Sequence, residues 1–495
     1  MAVPFTQIPG NLRTPLFYVE FDNSMANTAT TTQRTLIIGQ KLDAAEAQAN
    51  IPQKVSSSST VAGICGSGSM LHNMMAAYLA NDSTAEIWLL PLPDAAGSTA
   101  ASGKIKINSV ATETGVISVY IGGVRVQLTV VPTDTVDNVA SALASAINAK
   151  NSLPVTAVAA TDTVTLTAKN KGAHGNGIDI RLNYLGRAGG EITPTGMGMA
   201  ITAMAGGAGV PDMSAGLANL QDRTFDFIVN PYTDTASLDV IKSFLSDNGG
   251  RWSWDQQLYG HSYGTLSGTY GTLSAAGELR NNQHESLLGI NRSPSPAYIW
   301  TAALTGAIAP SLRNDPGRPT QTLPINGVLA PALEDRFSLT ERNNLLYSGI
   351  STFTVADDGT VQVENVITTY QENSFGDADD SYLQVETLYL LMFVTRYMRT
   401  QITSKFSRMK LVANGTRFMP GSAMVTPNTI RAELIAQYQT LEFNGYVQDA
   451  ASFARELTVE KSTSNPNRVD VLWTGTLVNQ LRIFALLNQF RLQAS

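Results

Sequence analysis

The sequence predicts a mixed α/β chain: an α/β core, a β-rich α+β insertion within it, and a C-terminal α+β part. Three observations carry this expectation. First, the short apolar runs TLIIG, from Thr35, and EIWLLPL, from Glu86, flank a helical stretch, and strand–helix–strand order asks for a parallel or mixed sheet. Second, between about Ala101 and Ala205 the apolar period changes to two, as in half-buried strands. Third, Tyr382 to Leu411 keeps a helical pattern with no Pro or Gly inside it. The expected division is 1–34 for an extended N-terminal arm, 35–96 with 206–375 for the core, 97–205 for the insertion, 376–480 for the C-terminal part and 481–495 for a C-terminal arm.

Taken in order, Pro4, Pro9 and Pro15 break helix and favour extended backbone. LFYVEF then alternates, with Phe17, Val19 and Phe21 on one side. A lone strand with an apolar face wants a sheet edge, either its own or that of another subunit. The Thr-rich stretch Asn23 to Gln33 is polar enough to act as a hinge. A helix is expected from Ser69 to Leu79, after a Gly-rich turn that follows a strand. In the insertion, KIKINSV, VISVYIGGVRVQLTVV and TVTLTAKN read as strands, interrupted by a helix that starts at Thr135.

The α/β rhythm resumes with FDFIVNPYTD as a strand and ASLDVIKSFLSD as a helix. A helix near Ser274 to Asn282, the run HESLLGI and a helix in SPAYIWTAALTGAIAPSL follow. Asp358-Gly359 between two alternating runs is a β-hairpin signal. A second C-terminal helix is expected from Thr429 to about Leu441, capped by Asn428. The end reads mostly as strand, with Lys461 to Arg468 as a polar hinge. Its last part alternates through Leu481, Ile483, Ala485 and Leu487, with a helix as the other reading. A hydrophobic terminus has to be covered by something.

The long helix is unusual in its charge. Leu388, Leu391, Thr395, Met398, Ile402, Phe406 and Met409 share one stripe. Arg396, Arg399, Lys405, Arg408 and Lys410 face the single acid Glu386 in a chain whose net charge is −7. Asp377, Asp379 and Asp380 precede the helix, where negative charge suits its N-terminus. The basic residues either complement the C-terminal end of the helix or present a cationic end to an anionic surface.

Chemistry is hard to find. Cys65, the single cysteine, excludes an internal disulfide framework and a Cys-based zinc site, and its apolar setting suits a buried thiol. His72, His174, His261 and His284 stand singly, with none at metal-ligand spacing. GICGSGS comes near a nucleophile elbow without satisfying G-x-S-x-G. GAHGNG reads as a turn, and no Walker A sequence exists. The acidic balance, pI ≈ 5.2, argues against nucleic-acid binding. No apolar run approaches the roughly 18 residues of a membrane span, and the N-terminus lacks the apolar stretch of a signal peptide, so synthesis without membrane insertion is expected. Charged residues make up 15 % of the chain, against about 25 % in typical domains. A surface poor in Lys and Glu suits a protein packed against neighbours. No cofactor and no metal are expected, and a structural role is favoured.

The chain resembles the contractile tail sheath proteins of bacteriophages, those of Mu-like phages in particular. IPGNLRTPLFYVEFDNSMAN is similar to the N-terminal arm of that family, and TLIIGQ with GSGSMLHNMMAAY to the opening of its sheath domain. The block Leu323 to Gln371, with its Gly-Val, Ala-Pro, Arg-Phe, Glu-Arg-x-x-Leu-Leu, Gly-Ile and ITTY, is similar to the most recognisable sheath segment. VNQLRIFALLNQFRL resembles the terminal strand.

The resemblance implies a virion subunit assembled in the host cytoplasm and stacked in six-fold rings around an inner tail tube. Arms from neighbouring subunits would complete a sheet in the C-terminal part. Contraction would drive the tube through the host envelope for genome delivery, with baseplate and tail terminator proteins as further partners. Phe17, Val19, Phe21, Leu481, Ile483, Ala485 and Leu487 then become subunit-linking residues, and Arg396, Arg399, Lys405, Arg408 and Lys410 tube-facing ones. Two other readings are a sheath of a related injection or secretion apparatus and, from a different class, an α/β hydrolase using Ser67 or Ser69 with a distant histidine.

Overall fold

The computed structural model describes residues 33–492. The expected N-terminal arm, with Phe17, Val19, Phe21 and the hinge Asn23 to Gln33, lies outside the described residues except for its last position or two. The fold is mixed α/β and built around one eight-stranded sheet.

That sheet starts with β1 (Arg34–Gln40), whose neighbour β3 (Glu86–Leu92) runs parallel to it. Between them come β2 (Gln53–Val55), antiparallel on the edge, and two helices, α1 (Ser58–Cys65) and α2 (Met70–Leu79). The Gly-rich turn therefore joins two helices, where a strand was expected before it. Ser69 caps α2 by accepting from the His72 amide, which satisfies one orphan donor of the first turn. Gly68 takes φ +79° there, and a Cβ on it would lie 2.3 Å from the Leu153 carbonyl oxygen.

Residues 101–209 build two further antiparallel sheets. β4 (Ser102–Ser109) lies between β10 (Gly198–Ala205) and β8 (Thr163–Ala168), with β7 (Val155–Ala160) outside β8. β5 (Gly115–Ile121) lies between β6 (Val124–Val130) and β9 (Ile180–Leu182). The helix α3 (Val136–Ala149) buries Val139, Ala140, Leu143 and Ile147 among them and is capped by Thr135. Its apolar positions recur at three and four, as the sequence pattern required. This core is separate from that of the main sheet.

The main sheet continues after the short α4 (Ser214–Ala218) with β11 (Phe227–Val229), α5 (Thr235–Leu245), β12 (His261–Ser267), α6 (Tyr270–Glu278), β13 (Glu285–Ile290), α7 (Ala297–Asn314), α8 (Leu339–Tyr347) and the hairpin β14 (Ile350–Val355) and β15 (Val361–Asn365). The order is β15-β14-β13-β12-β11-β1-β3-β2, with six parallel strands between two antiparallel edges. α6 lies four residues before its expected place. β12 carries no alternation because a central parallel strand is buried on both faces. Its polar residues bond to neighbouring elements: His261 to Ser286 of β13, Thr265 to Thr301 of α7, and Tyr263 to Tyr389 of the long helix that follows.

The long helix α9 spans Val385–Phe406, shorter at both ends than the pattern predicted. Its first half buries Val385, Tyr389 and Met392 in the core of the main sheet. Its second half offers Val394, Tyr397, Met398 and Ile402 to a different core. The predicted single stripe is thus split: Leu388 is buried, Thr395 exposed, and Met409 lies beyond the helix. The second core also holds α10 (Pro427–Phe443) and α11 (Ala450–Glu456). α10 begins earlier than expected and is capped by Thr426 rather than Asn428. Short pairs complete this end: β16 (Lys410–Leu411) with β17 (Met424–Val425), β18 (Val447–Gln448) with β21 (Thr476–Leu477), and β19 (Thr458–Lys461) with β20 (Val469–Leu472). Lys461 to Arg468, expected as a hinge, is the turn of the β19–β20 hairpin.

Candidate assembly surfaces

The five basic residues of the long segment have different fates. Arg396 turns inward: Nη1 donates to Asp226 Oδ1, Nη2 donates to the Leu258 carbonyl, and the guanidinium lies 5.3 Å from the Tyr259 ring centre. Asp226 is 1 % exposed, so the pair is buried. Burial pushes the Asp226 carboxyl up, against the pull of Arg396 and Arg251. Arg396 is therefore spoken for within the subunit. Arg399, Lys405, Arg408 and Lys410 are exposed. Lys405 Nζ reaches Glu433 Oε1 of α10 at 2.6 Å, a surface pair of small energetic weight. The reading of the sequence missed Arg417, Phe418 and Met419, exposed in the loop between β16 and β17. Basic and apolar residues between Gly415 and Pro420 are the signal that could have found them.

Asp379, expected to serve the α9 N-terminus, instead accepts from Tyr370 Oη at 2.7 Å and from Ser381. The acid that does enter the first turn is Glu386.

The C-terminal segment is the largest departure from an ordinary soluble surface. Leu481, Ile483, Phe484, Leu486, Leu487, Phe490 and Leu492 are exposed, from 71 to 91 %. Ala485 is exposed as well. Among the described residues the expected strand through Leu481, Ile483, Ala485 and Leu487 does not form, and no strand edge there pairs with it. Both faces of the segment are apolar, so the alternation read from the sequence was only half of its pattern.

The hydrolase reading meets specific obstacles. Ser67 Oγ donates to the Asn151 carbonyl, Ser69 caps α2, and His72 Nδ1 accepts from the Gly68 amide. A different Ser–His pair exists, with His261 Nε2 2.8 Å from Ser286 Oγ. Both are at most 1 % exposed, and His261 Nδ1 has no partner, so nothing orients the imidazole as a base. Burial pushes the Cys65 thiol up to about 12, which keeps it protonated and inert. Among the described residues no group of His, Cys, Asp and Glu could hold a metal ion, and no helix is long and apolar enough to cross a membrane.

Residues 206–369 match the phage tail sheath protein central domain, and 377–491 the phage tail sheath C-terminal domain. Over 492 residues the chain is 42 % identical to the Mu-like prophage FluMu tail sheath protein of Haemophilus influenzae, covering 99 % of this chain and 100 % of that one. The chain belongs to the phage tail sheath family. It is a structural subunit of a contractile tail and not an enzyme, which overturns the hydrolase alternative. Similar solved structures include the sheath tail protein of Desulfitobacterium hafniense, with TM-score 0.48, 15 % identity and coverage of 95 % of this chain and 97 % of that one. The helical sheath of the anti-feeding prophage in its contracted state gives TM-score 0.47 and 11 % identity over 97 % of this chain and 100 % of that one.

Proposed function

We propose that this sheath subunit is linked to its neighbours by its two terminal arms, 1–34 and 481–495, and meets an inner tail tube through its C-terminal part. The observation that carries the proposal is the apolar segment 481–492, exposed and without a strand partner among the described residues. Exposed apolar area of this kind marks an interaction surface. Because it is apolar on both faces, a receiving sheet has to cover both, as in an internal strand. Head-to-tail linkage of this sort is heterologous and grows into a helix.

In this reading the subunits form six-fold rings stacked around the tube, between a baseplate and a tail terminator, and assemble in the host cytoplasm before becoming part of the virion tail. Contraction is rigid-body movement of subunits that keep their folds, with the arms as hinges. The expected division is a sheath core, 35–96 with 206–375, an outer insertion, 97–205, and a C-terminal part, 376–480; the separate cores of the insertion and of α10 with α11 support it, while the first half of α9 packs with the sheath core. Arg399, Arg408 and Lys410, with Lys405 in part, are the exposed members of the basic set and face an acidic tube surface.

Negative-stain microscopy of the full chain, a chain starting at Thr35 and a chain ending at Gln480 tests the arms. Sheaths from the full chain alone, and only monomers or rings from the truncations, are expected. Full-length sheaths from both truncations would remove the arms from the assembly. Reversing Arg399, Arg408 and Lys410 to Glu is expected to weaken association with isolated tubes at low salt, where exposed charges are least screened. Unchanged decoration of tubes would sink the tube-facing assignment.

A further inference from the structure

Arg482 inverts the pattern of the segment it belongs to. Its neighbours Leu481 and Ile483 leave apolar side chains in solvent, while the Arg482 side chain is only 14 % exposed. Nη2 donates to Glu386 Oε2 at 2.5 Å. Glu386 is fully buried in the first turn of α9, and its Oε1 accepts from the Thr320 amide and the Thr320 hydroxyl, both at 2.9 Å. One carboxylate thus gathers the chain before α9, the start of α9 and the base of the C-terminal segment. Gln321 Nε2 adds a bond to the Leu481 carbonyl at 3.4 Å. Among the described residues no hydrogen bond within the subunit involves any residue beyond Arg482.

A buried ion pair contributes little net stability against apolar residues of the same volume, because desolvating both charges offsets their attraction. What it does provide is position. A flexible apolar segment fixed at its root is delivered to one place at high effective concentration. Among the described residues Arg482 Nε and Nη1 are buried and meet no acceptor, so the pair is not a fully satisfied core network there.

We propose that the Arg482–Glu386 pair is the pivot of the C-terminal arm. It fixes where the arm leaves its own subunit, and the arm turns from Ile483 onward when subunits move. This rests on reading 481–495 as an intersubunit arm. Arg482 is a positioning residue: it sets the direction of a strand that other residues present.

The test uses the full chain with spin labels at Phe484→Cys and, on the exposed face of α10, Gln439→Cys. In the parent chain a narrow distance distribution is expected. Glu386→Gln with Arg482→Met removes both charges together and leaves no buried charge unpaired. It is expected to keep the thermal midpoint, broaden the distribution and lower sheath yield at least tenfold. Arg482→Lys keeps the charge and is expected to retain both the narrow distribution and the yield. If the double variant does not fold, Arg482→Gln against Arg482→Lys gives the same comparison, and equal distributions and yields for those two would overturn the pivot. Normal sheaths from the folded double variant, when the chain ending at Gln480 makes none, overturn the pivot and leave the arm standing. Normal sheaths from the chain ending at Gln480 overturn both.

Discussion

Arg396 shows how a residue's partner decides its role. On the sequence it is one of five cations on a basic segment, yet in the fold it pairs with buried Asp226 just before β11. Arg396→Ala is expected to cost about 3–5 kcal/mol, because it leaves a buried carboxylate unpaired. Denaturant unfolding measures this, and an unchanged midpoint would return Arg396 to the surface set. His261 carries a second prediction at this scale. Burial first, and then the nearby His284, hold its pKa well below the usual imidazole value. The native state therefore keeps it neutral, while the unfolded chain takes a proton below about pH 6.5. The unfolded state binds more protons in that window, so stability falls as pH drops, by up to about 1.4 kcal/mol per pH unit for one such group. Urea midpoints at pH 7.5 and 5.5 read the slope. His261→Gln, which can keep a bond to Ser286, is expected to flatten it, and an equal slope in the variant would assign the effect elsewhere.

Among the elements, α9 carries the most. It is continuous from Val385 to Phe406 and buries its two halves in different cores. The two cores are therefore expected to unfold together. Thr395→Pro breaks the helix at an exposed position between them and removes an i→i−4 bond, at a cost of about 3 kcal/mol. Calorimetry is expected to show one transition dividing into two; a single shifted transition would mean the cores are coupled by other contacts. That a long helix lies here was legible, since six apolar positions at helical spacing and no breaker leave little choice, although it is shorter at both ends than the pattern. Its division between two cores was not, because both halves present apolar residues and no local signal says which neighbour each meets. β12 was unreadable for the opposite reason: HSYGTLS looks polar, and only strands and helices distant in sequence satisfy it.

At the scale of the whole molecule, residues 101–209 are tied to the main sheet by a small polar knot. Asn170, 5 % exposed, accepts from the Met70 amide and donates to the Lys41 carbonyl. Gln40 Nε2 donates to Asp94 Oδ1 at 2.6 Å and to the Lys171 carbonyl at 2.7 Å. Asn170→Ala leaves two backbone groups unpaired at a buried junction, and a loss of about 1–3 kcal/mol is expected. A variant as stable as the parent would show that the apolar contacts alone hold the junction.

The amino-acid pattern by itself determined the mixed α/β class, a β-rich segment between two α/β stretches, a long basic helix and an apolar C-terminal segment. These follow from the spacing of apolar residues and from turn chemistry, which act over a few residues and survive any tertiary arrangement. Only the tertiary structure decided which charges remain exposed and which C-terminal residue is held within the subunit. Arg396 and Arg482 are basic residues in apolar stretches, and both are withdrawn onto buried carboxylates, Asp226 and Glu386, that lie 170 and 96 residues away. A buried charge needs a counter-charge wherever the fold brings one, and local sequence holds no record of that meeting.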